Sequence, residues 1–244
     1  MKKFFTVLLL AVTLIGTAQE STLLRLDYTK GDSYTITMNM TQEMGGAVIM
    51  KMTMGMETEI TEVNKDTYSS VMKFTKMVME MNQGGMNITF DSTKSDDELD
   101  EMGKMMKAQM GPTLQAVFYA KGNNLGEVLE MRVEPNIPGA SDMANQSNNV
   151  IFPKKAVRVG DTWAIEKENK GMKMNFIYTV KSIVSSKVVL GVSGKISGLA
   201  GGTISGSMDI DKKSGVPLKT AIDMSMSMSG QEMKTSMTGI TIKN

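Results

Sequence analysis

The sequence predicts a mainly β protein: a curved antiparallel sheet, or open half-barrel, of about ten strands with one inserted α-helix as a lid. Four observations lead there. Apolar and polar residues alternate over long runs, the period of a half-buried strand. Gly-Gly, Ser-Gly and Asn/Asp-containing turns interrupt the runs at short intervals, which favours antiparallel neighbours. Each run keeps its apolar residues on one parity, so one sheet face is covered and the other is wet. The period changes to three and four in one interval, which marks the helix.

The first predicted strand is residues 33–44, with Tyr34, Ile36, Met38 and Met40 opposite in parity to Thr35, Thr37 and Asn39. Gly45 and Gly46 end it. Residues 48–63 place Met50, Met52, Met54, Met56 and Ile60 on one face, with Lys51, Thr53, Glu57 and Glu59 mostly on the other. Asn64, Lys65 and Asp66 turn into residues 67–81, where Met77, Met79 and Met81 share a parity. Gly84 and Gly85 are a hairpin signal, and residues 86–91 return.

The helix is predicted over 96–110. Ser95 with Glu98 is a capping box, and Asp96, Asp97 and Glu98 suit the positive end of a helix dipole. Leu99, Met102, Met106 and Met110 form one stripe, which Gly111 and Pro112 close. Some 15 residues make a rod of about 22 Å, long enough to cross several strands.

Residues 113–120 and 127–133 read as strands about a turn at 121–126. A polar linker follows over 135–155, with Pro135, Pro138 and Pro153, and 141–148 suits one or two helical turns. The second half supplies short strands at 163–167 and 172–180, then 187–196, 203–210, 217–228 and 233–242. Their turns carry Gly201 and Gly202, Asp211 to Gly215, and Ser229 and Gly230.

The order of features repeats. Gly31-Asp32-Ser33-Tyr34 and Gly160-Asp161-Thr162-Trp163 both follow an alternating run and open a strand. After each comes a Met-rich strand, another strand, a Gly-Gly turn, a strand, a Lys-containing turn ending in Gly, and a strand. The pattern divides the chain into a first β-unit at 19–134, carrying the helix as an insertion, and a second at 156–244, within one continuous domain.

Residues 1–18 read as a signal peptide: Lys2 and Lys3, an apolar run from Phe4 to Ile15, then Gly16, Thr17 and Ala18. The run is short for a membrane span. A mature chain is expected from Gln19, in the periplasm or outside the cell, with no transmembrane segment after processing. Loss of Lys2 and Lys3 leaves 25 basic against 26 acidic side chains, a balance without a nucleic-acid footprint.

The 244 residues contain no Cys and no His. This removes disulfides, thiol chemistry, the usual zinc sites and imidazole acid–base catalysis. No nucleophile–base–orienter set can be assembled, so neither an enzyme nor a cofactor is expected. Asp32 and Asp161 sit in turn chemistry and read as caps. The acidic run from Asp96 to Glu101 lacks calcium-loop spacing.

The 27 methionines admit three readings. Flexible Met can fill the core of a large curved sheet. It can line an adaptable apolar cavity. Its thioethers can also hold Cu(I), since soft ligands select that ion. The ligand face, if there is one, is expected at Met52, Met54, Met56, Met79, Leu99, Met102, Met106, Met174, Phe176, Met224 and Met226. The expected partner is a lipid or another hydrophobic small molecule, and the oligomeric state is left open.

The leader ending in Thr17, Ala18 and Gln19, the opening from Leu24 to Tyr34, the acidic-then-Met helix, and the stretch from Phe152 to Trp163 resemble an uncharacterised family of secreted Bacteroidota proteins. That resemblance implies export and is silent on activity. The turn from Asp211 to Leu218, with a curved sheet and helical lid, is similar to periplasmic lipoprotein carriers of the Lol type. It implies acyl-chain binding.

Overall fold

A computed structural model describes residues 20–137, 150–169, 171–228 and 230–244. The leader over 1–18 and the helical turns at 141–148 lie outside the described residues. Fourteen strands and one α-helix are found among those described: β1 (Ser21–Thr22), β2 (Ser33–Met44), β3 (Val48–Asn64), β4 (Thr67–Gln83), β5 (Met86–Asp91), α1 (Glu101–Leu114), β6 (Val117–Asn123), β7 (Val128–Glu134), β8 (Val157–Arg158), β9 (Thr162–Asn169), β10 (Met172–Ile183), β11 (Lys187–Gly198), β12 (Gly201–Asp211), β13 (Pro217–Met228) and β14 (Gln231–Lys243).

Twelve strands make one antiparallel sheet, somewhat more than the ten expected. Its order is β7-β6-β4-β3-β2-β14-β13-β12-β11-β10-β9, with β5 also pairing β4. The sheet is curved and not closed into a barrel. Two meanders build it, and they meet where β14 pairs with β2. β1 and β8 form a separate two-stranded ribbon.

Glycine permits the curl. A Cβ at Gly194 would lie 2.1 Å from the carbonyl oxygen of Asn175 on β10, and one at Gly206 would lie 2.1 Å from that of Ala221 on β13. The strands approach so closely there that only a residue without a side chain fits.

The two Gly-Asp motifs have the same local structure. Gly31 and Gly160 hold left-handed φ of 90° and 94°. The Asp32 carboxylate accepts from the Thr29 N–H at 3.0 Å, and that of Asp161 from the Arg158 N–H at 2.8 Å. Each motif then exchanges two backbone bonds with a buried residue on the next strand. Gly31 donates to Ile60 and Ile60 to Asp32, while Gly160 donates to Val180 and Val180 to Asp161. The repeated sequence therefore builds a repeated strand entry.

The predicted helix is corrected in two respects. Residues 96–98 form a 3₁₀ turn, Leu99 is extended, and the α-helix begins after Asp100. Ser95 does engage Glu98, its N–H and hydroxyl both donating to the carboxylate. Asp100 then caps afresh, accepting from the Gly103 N–H at 2.7 Å. At the far end the helix runs through Pro112 to Leu114, so the strand expected at 113–120 begins at Val117. Near a helix end the bond that proline cannot donate is a small loss. None of the described helices is long and apolar enough to cross a membrane.

The main core lies on the inner face of β9–β13. Val180, Val188, Leu190, Ile204 and Ile210 are at most 3% exposed there. Two extended segments, not the helix, cover this flank. Leu24 comes from the N-terminal segment, and Val150, Phe152 and Val157 from the segment before β9. Arg25 ties them together by donating to the carbonyls of Pro153 and Lys154. The turn after β12 anchors the first of them. Asp27 donates to the Ser214 carbonyl, and a Cβ at Gly215 would meet the Arg25 carbonyl oxygen at 2.0 Å. The helix packs instead on β5 and β4, at the other flank.

Candidate functional site

Residues directly opposed in antiparallel neighbours share a sheet face, so the register arranges the inner face in rows. One row reads Tyr178, Val192, Gly206, Ile222, Met237, Met40, Met52, Met79, Phe90. The rows beside it bring Met38, Met54 and Met77 into line, and Met50 with Met81. Nearer the Gly-turn end a further row runs Met174, Ile196, Gly202, Met226, Met233, Met44 and Val48.

The face is divided by residue type and by exposure. From β9 to β13 it is built largely of branched and aromatic residues packed under the covering segments. Trp163 stacks on Tyr178 at 5.4 Å, and Phe176 lies along Tyr178 at 6.4 Å. From β14 through β2, β3 and β4 methionine is its commonest residue, beside Thr235, Gly239, Gln42 and Val48. Met38, Met40, Met44, Met50, Met52, Met54, Met79 and Met81 are all half-buried. Branched side chains lock into defined packing, whereas unbranched thioethers tolerate a partner of changing shape.

The structure brings most of the predicted ligand-face residues together. Met52, Met54 and Met79 lie on the open Met region, half-buried, and Met56 is buried beyond a bulge after Gly55. Met174, Met224 and Met226 are half-buried at the edge of the main core, and Phe176 is inside it. The helical residues divide. Leu99 is buried, Met106 and Met110 are half-buried, and Met102 is 39% exposed. Gly103 takes the inward place that Met102 was expected to fill.

Residues missed at the sequence level belong to the same rows: Met38, Met40, Met50, Met81 and Met233. Their parity was visible, but the strand order that sets them side by side was not. Lys167 was also missed. It opposes Met174 on the inner face, is half-buried, and stands 5.9 Å from the centre of the Phe176 ring. Burial pulls its pKa below the usual lysine value.

A cavity of about 350 Å³ lies at the other end of the sheet, lined among others by Asp27, Asp32, Tyr34, Asp211, Lys213 and Lys243. Burial alone would raise the pKa of Asp32. Bonds from the Lys243 ammonium at 2.6 Å, the Thr29 N–H and the Tyr34 hydroxyl outweigh it, so the carboxyl titrates below its ordinary value. Asp211 is lowered in the same way, by donors from Ser214 and Lys213. These contacts fasten the end of the sheet. Burial pushes the Tyr178 hydroxyl up to about 12.

No family model matches the chain, and no curated protein does. Among solved structures the chain is similar to the translocator domain of autotransporter NalP from Neisseria meningitidis, at 8% identity and a TM-score of 0.34, over 90% of this chain and 91% of that one.

Proposed function

We propose that this chain is a non-catalytic carrier or receptor for a hydrophobic ligand, a lipid or acyl chain, acting in the cell envelope after removal of residues 1–18. The supporting observation is the division of the inner face. One flank is a filled core of branched residues, while the adjoining flank presents half-buried methionines on four consecutive strands. An acyl chain hiding about 300 Å² there would gain roughly 7 kcal/mol before entropy losses, at about 25 cal/mol per Å². Before those losses this corresponds to a Kd on the order of 10 μM.

The test is native mass spectrometry of gently purified protein, with an environment-sensitive apolar dye as a second readout. Co-purifying lipid and dye binding are expected in the parent. Met52→Asp, which sets a charge against the ligand at a half-buried position, is expected to lose both while keeping the far-UV spectrum. If the parent carries no adduct and binds no dye, the methionines are only core and the chain is a structural envelope protein.

A second reading is Cu(I) handling. It is favoured by the direct opposition of Met237, Met40, Met52 and Met79 on neighbouring strands. Cβ atoms so placed are about 4.5–5.5 Å apart, close enough for three thioethers to converge on one ion.

A further inference from the structure

The two ends of the sheet differ in charge. Four hairpins turn at the end away from the Gly-Asp motifs: β2–β3, β4–β5, β11–β12 and β13–β14. The register brings these turns to one level, with Met44 opposite Met233, Val48 opposite Gln83 and Gly201 opposite Ser227. The sequence through them carries no charge over 44–50, 81–90, 196–208 and 224–231. Large apolar side chains stand out from it. Leu199 is 68% exposed and Met86 63%, and Ile49 and Met228 are exposed as well. The fifth hairpin at that end, β9–β10, differs in carrying Glu168 and Lys173. At the opposite end the exposed apolar residues lie among charges. Val63 stands beside Glu62, Lys65 and Asp66, Val184 between Lys181 and Lys187, and the β12–β13 turn carries Asp211, Lys212 and Lys213.

The uncharged tips form one rim. The Gly45 N–H donates to the Glu232 carbonyl at 2.9 Å and ties the β2–β3 turn to β14, while the Leu199 N–H donates to the Gly171 carbonyl at 3.2 Å and ties the β11–β12 turn to its neighbour. Neighbouring hairpins stand two strand spacings apart, about 10 Å, so the four span about 29 Å along the sheet. Charge resumes behind the rim in opposed pairs. Glu43 faces Lys234 across β2 and β14, and Lys51 faces Glu80 across β3 and β4. Glu43 stands three residues from Gly46, about 10 Å along the strand. Met86 and Met228 have the inward parity, so the rim is continuous with the methionine face.

We propose that this rim docks on the surface of a lipid bilayer, setting Leu199, Ile49, Met86 and Met228 into the boundary between head groups and acyl chains. Apolar faces sink roughly 5–10 Å into that boundary, which is the depth of the rim ahead of Glu43. Charged side chains are costly below the head groups, and the rim has none, while the Gly, Ser and Asn of its turns suit the head-group level. A protein partner would be met by a continuous packed area of about 800 Å² per side. Here the anchors stand on separate tips along a line, an arrangement that a fluid, planar partner can take. The charges behind the rim are matched, so attachment is hydrophobic, neutral lipid suffices and salt has little effect. The inference stands apart from the ligand reading, since docking by the tips needs no space on the inner face.

The experiment is flotation of protein recovered from the host envelope with phosphatidylcholine vesicles, at low and at high salt. The parent is expected to float with the vesicles at both. Leu199→Asp combined with Met86→Asp should bind about 100-fold less, and Leu199→Ser alone about 10-fold less, the value of one such side chain removed from water. Val184→Asp, the same kind of change at the charged end, should bind as the parent does. Circular dichroism checks the fold of each, and Leu199→Ser carries the test if the double variant does not fold. A parent that stays in the soluble fraction, binding that disappears at high salt, undiminished binding by the rim variants, or an equal loss in Val184→Asp would overturn the inference. A parent that self-associates without vesicles, and becomes monomeric in the double variant, would assign the rim to a second copy of the chain and overturn it too. Vesicle binding by a parent that takes up no apolar dye would leave this inference standing and remove the ligand reading.

Discussion

Gly194 tests whether close strand approach shapes the sheet. In Gly194→Ala the new Cβ would lie 2.1 Å from the Asn175 carbonyl oxygen, where ordinary contact begins at 3.4 Å. β10 and β11 must therefore part by about 1.3 Å at this point. Overpacking of this kind costs about 1–3 kcal/mol, and a weakened ladder bond adds about 1 kcal/mol. The expected loss is about 3 kcal/mol, which at roughly 2–4 °C per kcal/mol for a chain of this size lowers Tm by about 6–12 °C. Gly239→Ala is the control. It also lies within a strand on the inner face, yet its Cβ would find only Thr220 Cβ at 3.7 Å and Met38 Cγ at 3.9 Å. Relieved of glycine's unfolded-state entropy it should gain about 0.4–1 kcal/mol. Thermal unfolding followed by far-UV circular dichroism reads both. A Gly194→Ala protein that melts with the parent, or two variants that shift in the same direction, would refute the reasoning.

Three further outcomes are expected. Asp32→Asn should cost about 1.5–3 kcal/mol at pH 7, the worth of bonds to a charged group. Because the folded pKa of Asp32 is lowered, its contribution is present above about pH 3.9 and lost as pH falls through the folded value, so urea midpoints of parent and variant should converge in acid. Replacing Met40, Met52 and Met79 together by Leu should abolish any Cu(I) uptake against a competing chelator, at under about 1.5 kcal/mol per site, and a parent that takes up no Cu(I) ends that reading. Intact-mass measurement of protein recovered from the host envelope should place the N-terminus within two residues of Gln19, whereas a membrane-bound species keeping Met1 to Ala18 would remove the leader.

The strand content was legible because parity was kept along whole strands. Residues 33–44 and 217–228 were located to the residue, since Gly45, Gly46 and Pro217 punctuate them. The register of β2 on β3 also follows from the Gly45–Gly46 turn, which sets Met44 against Val48 and so Met40 against Met52. The helix was misplaced because Ser95 and Asp100 are both competent caps, and the sequence does not say which one starts the α-helix. The covering of the core was not legible at all. Residues 20–30 and 150–158 show little periodicity, and their burial depends on bonds such as Trp163 to the Ile151 carbonyl, which join distant positions. The side-by-side methionines depend on the β2–β14 pairing, which no local pattern encodes.

That pairing also bears on the order in which the protein can be made. Each meander can grow by adding the next hairpin as it emerges, but β2 has its second neighbour only in β14, whose register sets Lys243 opposite Tyr34. At synthesis rates of about 5–20 residues per second, β2 waits on the order of 10–40 s for it. Through that interval a twelve-residue strand carrying Met38, Met40 and Met44 has an unpaired edge, the kind of surface that recruits other chains. Joining the first meander to the second is therefore a late event with high contact order, and a chain truncated before β14 leaves the nascent half permanently open to self-association.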